Sequence, residues 1–318
     1  MIELLILVLG FALLIYGASL LVDGASALAR GFNIPNIVIG LTIVALGTSA
    51  PELVVNVFAA VQGNSAIAFG NVTGSNLFNI MLILGVSAAI WPMTVKSSTT
   101  WTEIPLALLA AMAMLVMAND TILDSIPASV VSRTDGIILL FFFFIFLVYN
   151  LHMALKGDAS DEITVKSMSK SKSTLLILAG LVLLVAGGRF IVDSAVKIAE
   201  SYGMSERIIG LTIISAGTSL PELATSIVAA LKRNTDIAIG NIVGSNIFNV
   251  FFILGTTAVI SPVTIPAGAN IDLLLLTLSS LMLFAFVFTG KGRRIDRTEG
   301  IIFIIMYLAY LGYLIFFQ

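Results

Sequence analysis

Gly47-Thr-Ser-Ala-Pro-Glu52 stands in the middle of an otherwise apolar run, and Gly217-Thr-Ser-Leu-Pro-Glu222 repeats it 170 residues later. A carboxylate flanked on both sides by membrane-like sequence is costly, and such residues mark ion or substrate pathways. Two copies point to one site with two contributors. The register holds along the chain. Gly70-Asn-Val-Thr-Gly-Ser-Asn-Leu-Phe-Asn79 answers to Gly240-Asn-Ile-Val-Gly-Ser-Asn-Ile-Phe-Asn249, and Asp23 with Asp193, Gly17 with Gly187 and Pro92 with Pro262 keep the same offset. The chain is a tandem duplication.

Composition supplies the setting. The 318 residues are 58% hydrophobic and 11% charged, with a mean hydropathy of +1.09, whereas soluble domains carry about 25% charged residues. A multi-span membrane protein is expected, with the lipid bilayer as its surroundings. The net charge of −2 and the lack of a long basic run speak against nucleic acid as a partner. Cysteine is absent, which excludes a disulfide framework and a thiolate metal site. No sequence feature fixes an oligomeric state. The segment from Ile2 to Val22 carries Glu3 in place of a basic leader and is apolar over a full span, so it is expected to be a retained helix and not a cleaved signal.

Apolar runs of spanning length separated by polar or Pro/Gly-rich breaks predict an all-α fold of about ten transmembrane helices. The approximate spans are 2–22, 34–61, 65–90, 103–119, 135–154, 173–193, 205–231, 236–260, 271–289 and 299–317. Residues 1–155 form the first repeat, 156–173 a hydrophilic linker and 174–318 the second repeat. An odd number of helices per half makes the second half enter from the opposite side, the inverted-repeat plan of many secondary transporters. Arg30, Lys96, Lys156, Lys166, Lys170, Lys172, Lys232, Arg233, Lys291, Arg293, Arg294 and Arg297 fall in odd-numbered loops, against mainly Arg133 and Arg207 in even ones. The positive-inside rule then predicts cytoplasmic odd loops, a cytoplasmic linker and both termini outside, in a plasma (inner) membrane.

Pro51 has no N–H to offer the Gly47 carbonyl, so the second helix should kink just before Glu52 and loosen carbonyls from Ala45 to Gly47. Pro221, Gly217 and Ser215 repeat the arrangement. Helical spacing places Thr48 with Glu52 on one face, and Asn71, Ser75 and Asn79 on another, as it does Asn241, Ser245 and Asn249. The Gly70/Gly74 and Gly240/Gly244 pairs would allow close helix approach. Asp23 and Asp193 lie near helix ends, and Arg189 one turn before Asp193 suggests an ion pair; the Phe141 to Phe144 run reads as lipid-facing, and Trp91 and Trp101 as interface anchors. The donor inventory is all oxygen, suited to hard cations such as Ca²⁺, which takes about 6–8 oxygen ligands, or Na⁺. Two glutamates would balance one Ca²⁺, or two monovalent ions or protons, and competition for them is a basis for exchange. A cation channel could use the same oxygens. An intramembrane enzyme could also use paired carboxylates for acid/base work, but no HExxH, nucleophile motif or Gly-rich phosphate loop accompanies them, and the lack of a Walker motif speaks against ATP-driven pumping.

These four motifs resemble the paired alpha-repeats of the Ca²⁺/cation antiporter superfamily, in its prokaryotic sodium/calcium exchanger-like branch, and the resemblance covers the whole chain. It implies alternating-access exchange of Ca²⁺ against Na⁺ or H⁺ with no cofactor. It makes Glu52 and Glu222 the central ligands, with Thr48, Ser49, Ser75, Thr218, Ser219 and Ser245 as further oxygen donors and Asn79 and Asn249 beside them. Backbone oxygens of Ala45 and Ser215 match Na⁺-binding positions of such exchangers. Some relatives have Asp where this chain has Asn249, which bears on ion number. The proton-exchanging branch typically has Glu at the positions of Ser75 and Ser245, which favours Na⁺ here.

Overall fold

The computed structural model describes residues 2–123, 125, 128–156, 168–201, 215–266, 268–289 and 292–317. Without water to bond free peptide groups, an apolar chain satisfies them within helices. The helices are α1 (Ile2–Gly31), α2 (Asn36–Thr48), α3 (Ala50–Val61), α4 (Ile67–Ile90), α5 (Thr99–Met117), α6 (Arg133–Lys156), α7 (Lys170–Ser201), α8 (Leu220–Leu231), α9 (Thr235–Ile260), α10 (Ala269–Phe286) and α11 (Arg297–Phe317). Among the described residues 8 helices are long and apolar enough to cross a membrane, or 9 if the bent pair α2–α3 is one span. The expected span 205–231 is seen only from Ser215 onward; its earlier part, with Arg207, lies outside the described residues, as do Lys166 and Lys291.

Helices α1 and α7 run for 30 and 32 residues, well past the predicted 2–22 and 173–193. Hydropathy stops at the first charge, but the backbone does not. Asp23 is balanced by Lys232 Nζ at 2.7 Å, and Ser26 bonds back to the Val22 carbonyl at 2.8 Å. The expected linker is likewise shorter than 156–173, since Lys156 closes α6 and Lys170 and Lys172 already belong to α7.

The two long helices pack antiparallel along a glycine seam. A Cβ on Gly10, Gly17 or Gly24 would come within 3.0 Å of Gly187 O, 2.9 Å of Gly180 O or 2.8 Å of Ser173 O respectively, so ascending positions on α1 meet descending ones on α7. The Gly240/Gly244 pair behaves as predicted: a Cβ there would lie 2.9 Å from Gly40 Cα and from Leu41 Cα on α2. Burial is concentrated in the polar helices. In an 18-residue window 94% of α9 is buried inside the protein and 72% of α4, against 17% of α6 and of α11, so the asparagine-rich helices form the centre. The phenylalanine run is only half lipid-facing. Phe141 and Phe144 are exposed, while Phe142 stacks on Phe251 and Phe143 on Phe252 of α9, because successive residues on a helix point about 100° apart.

Short ties join the connections. Strands β1 (Met93–Thr94), β2 (Val130–Val131), β3 (Val263–Thr264) and β4 (Arg294–Ile295) form two antiparallel pairs, β1 with β4 and β2 with β3. On the side of the first pair, Lys96 Nζ meets Asp236 Oδ2 at 2.7 Å, Arg233 stacks over Trp91, and Lys170 sits over Phe32. On the side of the second, Arg133 Nε donates to the Val259 carbonyl at 3.2 Å. Lys197 Nζ meets Glu3 Oε1 at 3.2 Å where α7 ends and α1 begins.

Candidate functional site

Proline placement shapes the site. Pro51 and Pro221 occupy the first turns of α3 and α8, and the chain breaks two residues earlier, at Ser49 (φ −84, ψ 7) and Ser219 (φ −89, ψ 7). The proline ring crowds the preceding turn and cannot donate to it; the axis bends by 48° between α2 and α3. The break therefore precedes Glu52 as expected. It also separates Thr48, the last residue of α2, from Glu52 in the first turn of α3, so the unbroken helix on which their shared face was predicted is interrupted. Both glutamates stand at helix starts, where the dipole favours negative charge, and each is only 1% exposed.

Hydroxyls serve the carboxylate of the opposite half. Ser49 Oγ donates to Glu222 Oε1 at 2.8 Å, and Ser219 Oγ to Glu52 Oε1 at 3.0 Å. Ser49 also lies 3.0 Å from Ser245 Oγ, and Ser219 3.1 Å from Ser75 Oγ. Thr48 Oγ1 donates to Asn241 Oδ1 at 3.0 Å and Thr218 Oγ1 to Asn71 Oδ1 at 3.4 Å. The amide of Asn79 donates to Asn246 Oδ1, and that of Asn249 to Asn76 Oδ1, each at 3.0 Å. These residues make a two-fold polar network whose hydrogen bonds fall into separate sets: Thr48, Ser49, Glu222 and Ser245 with Asn241, then Glu52, Ser75 and Ser219, then Thr218 with Asn71, and Asn79 and Asn249 with Asn76 and Asn246. All are buried except the partly buried Thr218 and Asn71.

Four oxygens in this network have no hydrogen-bond partner among the described residues: Glu52 Oε2, Glu222 Oε2, Asn79 Oδ1 and Asn249 Oδ1. They form two pairs related by the 170-residue offset. A buried acceptor without a donor is expensive, and two such matched pairs suit a hard cation bound through oxygen. No group of three or more His, Cys, Asp or Glu side chains that could hold a metal occurs among the described residues; the donor set is two carboxylates with neutral amides and hydroxyls.

The backbone ligands fare differently. The Ala45 carbonyl is not loosened in this structure: it accepts the Ser49 N–H at 3.0 Å and Thr48 Oγ1 at 3.3 Å, because the helix still closes its turn before the break. Ser215 opens the short helix Ser215–Gly217, and the residues preceding it lie outside the described set.

The pattern of the family described as "Sodium/calcium exchanger protein" matches residues 2–152 and 172–316. The chain belongs to the sodium/calcium exchanger family. Its members are transporters and not enzymes. CaxA of Alkalimonas amylolytica is 38% identical over 91% of this chain and 90% of its own length. The inner membrane protein YrbG of Escherichia coli strain K12 is 35% identical, covering 90% and 89%. Sodium/calcium exchanger MaX1 of Methanosarcina acetivorans is 31% identical over 98% and 97%. Among solved structures, the sodium-calcium exchanger NCX_Mj superposes with a TM-score of 0.83 at 33% identity, covering 99% of both chains.

In this exchanger-family chain the sequence reading passed over several residues of the network. Asn76 and Asn246 sit inside the quoted motifs and bond to Asn249 and Asn79; their duplication at the common offset was the available signal. The π-helical turns Phe78–Ile83 and Phe248–Leu254 begin beside Asn79 and Asn249. Such turns occur often at functional sites, and no propensity in these residues marks them.

Proposed function

We propose that this chain is a secondary antiporter that exchanges Ca²⁺ for Na⁺ across the membrane by alternating access at one site near the bilayer midplane. Glu52 and Glu222 supply the charge, Asn79 and Asn249 neutral oxygens, and Thr48, Ser49, Ser75, Thr218, Ser219 and Ser245 the surrounding hydroxyls, with the Ala45 and Ser215 carbonyls joining when their turns open. The observation that carries this reading is the pair of matched, unpartnered oxygens at Glu52/Glu222 and Asn79/Asn249. Two carboxylates neutralise one Ca²⁺ or two monovalent ions, which makes the two loads mutually exclusive.

Na⁺ is preferred over H⁺ because Ser75 and Ser245 offer oxygens that replace a hydration shell but hold no transferable proton at neutral pH. Ca²⁺ uptake into proteoliposomes loaded with Na⁺, at fixed pH and clamped potential, is expected to exceed uptake into Na⁺-free vesicles. Uptake that follows a pH gradient and ignores Na⁺ would replace this reading with Ca²⁺/H⁺ exchange, and flux without a counter-ion would indicate a channel.

The topology belongs to the same proposal: ten spans in two inverted repeats, 1–155 and 174–318, joined by a cytoplasmic linker within 156–173 that is shortened by the helix ends at Lys156 and Lys170, with both termini outside. The antiparallel packing of α1 on α7 supports inversion. The ties support the loop parity, since β1 pairs with β4 and Lys96 with Asp236 across odd loops, while β2 pairs with β3 across even ones. In a chain without native cysteine, Ser97→Cys is expected to react with an impermeant thiol reagent from the cytoplasmic face and Ser125→Cys from the outer face. The reverse pattern would refute this orientation.

A further inference from the structure

Two cavities beside the broken helices carry charges that the proposed site does not use. One, of about 670 Å³, is walled by α7 from Leu181 to Phe190 and reaches Ser49; the other, of about 460 Å³, reaches Thr218 and Pro221. Arg189 borders both, and Asp193 borders the second. No other charged side chain lines either cavity among the described residues. Arg189 Nε and Asp193 Oδ2 are 3.6 Å apart with the side chains 80% and 57% exposed, so the pair is a loose one standing free of the protein core.

The first half treats the same positions differently. Ser19 and Asp23 lie 170 residues before Arg189 and Asp193. Asp23 is held by Lys232 of the opposite half, which also donates to Ser19 Oγ at 2.8 Å, and Asn234 donates to Ser26 Oγ at 2.9 Å. At that end α1 is tied to the opposite half; at the other end Asp193 has its own arginine and a cavity beside it. Asp193 lies one turn nearer the end of α7 that meets Glu3. A cation moving inward along α7 through the second cavity therefore passes the carboxylate before the guanidinium, in a space that also touches Thr218, while the first cavity continues from Arg189 to Ser49.

We propose that Arg189 and Asp193 form a charged mouth at one membrane face that sorts approaching cations by valence. This rests on the exchange reading above. A fixed charge acts on an ion in proportion to the ion's own charge, so the arginine opposes Ca²⁺ twice as strongly as Na⁺. Na⁺ is admitted from that face while Ca²⁺ released there is discouraged from rebinding. Asp193 offsets part of the repulsion and keeps the mouth passable.

The test is side-resolved exchange in right-side-out and inverted membrane vesicles. Arg189→Ser, which copies the first half, should lower the apparent KM for Ca²⁺ at one face by roughly threefold and that for Na⁺ by less than twofold at moderate ionic strength. The other face and the maximal rate should not change, the effect should shrink in added salt, and Arg189→Lys should keep the wild-type values. Asp193→Asn should shift the Ca²⁺ KM in the opposite direction, and it carries the test if Arg189→Ser fails to accumulate. Equal changes for both ions, equal changes at both faces, or a loss confined to the maximal rate would overturn the proposal and leave a structural ion pair. Wild-type vesicles without Na⁺-dependent Ca²⁺ flux would instead overturn the exchange reading itself, whatever the variants do.

Discussion

The two halves agree at the glutamates and part company a few residues away. Ser49 and Ser219, Asn79 and Asn249, and Glu52 and Glu222 make matched contacts across the interface. Four residues beyond each glutamate the chain carries Asn56 in one half and Ser226 in the other. Asn56 Nδ2 turns back to the Glu52 carbonyl at 2.9 Å, and among the described residues Asn56 Oδ1 and Asn71 Nδ2 have no partner; Ser226 accepts from Asn241 at 3.0 Å. The difference teaches that the two halves keep the same contacts where their hydroxyls and amides meet across the interface, and diverge where a side chain is bonded only within its own half.

That comparison can be broken most forcefully at the carboxylates. Glu52→Gln and Glu222→Gln should each lower Ca²⁺ exchange by at least about 100-fold, since either leaves one compensating charge where two are needed, while the detergent-purified protein stays folded by circular dichroism and size exclusion. A large gap between the two variants would show that the halves are unequal at the site. Next in size, Asn79→Ala and Asn249→Ala should each raise the apparent KM for Ca²⁺ by about tenfold, the equivalent of one lost oxygen contact, measured by initial uptake rates. Ser49→Ala and Ser219→Ala each strand a carboxylate oxygen of the opposite half, and a matched loss of about fivefold in apparent affinity is expected; unmatched losses would locate the asymmetry in the hydroxyls. The smallest effect concerns the supports. Lys232→Ala removes a partly exposed contact to Asp23 and should shift thermal stability by no more than about 1 kcal/mol, read from the unfolding midpoint in detergent.

How much of this was legible in sequence follows from what periodicity can see. Duplication placed Glu52, Glu222 and their flanking motifs, and Pro51 announced the break, because those signals are local to one segment. Pairing across the interface was not legible. Nothing in Gly47-Thr-Ser-Ala-Pro-Glu52 says that Ser49 will serve Glu222 and not its own Glu52, since the choice depends on how the opposite half docks. The break at Ser49 also interrupts the helix on which the shared face of Thr48 and Glu52 was inferred, and its one-residue extent is not written in the periodicity. Helix ends beyond Asp23 were hidden for a similar reason, as the lysine that balances this aspartate comes from residue 232.

The strand ties set an order on how this protein can be made. Met93 pairs with Ile295, and a Cβ on Gly85 would come within 2.8 Å of Gly300 O on the last helix. At about 5–20 residues per second of synthesis, roughly 10 to 40 s separate the appearance of β1 from that of its partner. Until residues 294–300 are made, the contacts that the folded protein gives to Met93 and Gly85 have no partner. Helix α11 and the strand before it therefore work as a keystone: a chain that stops after α10 lacks the partners of Met93 and Gly85 in the first half as well.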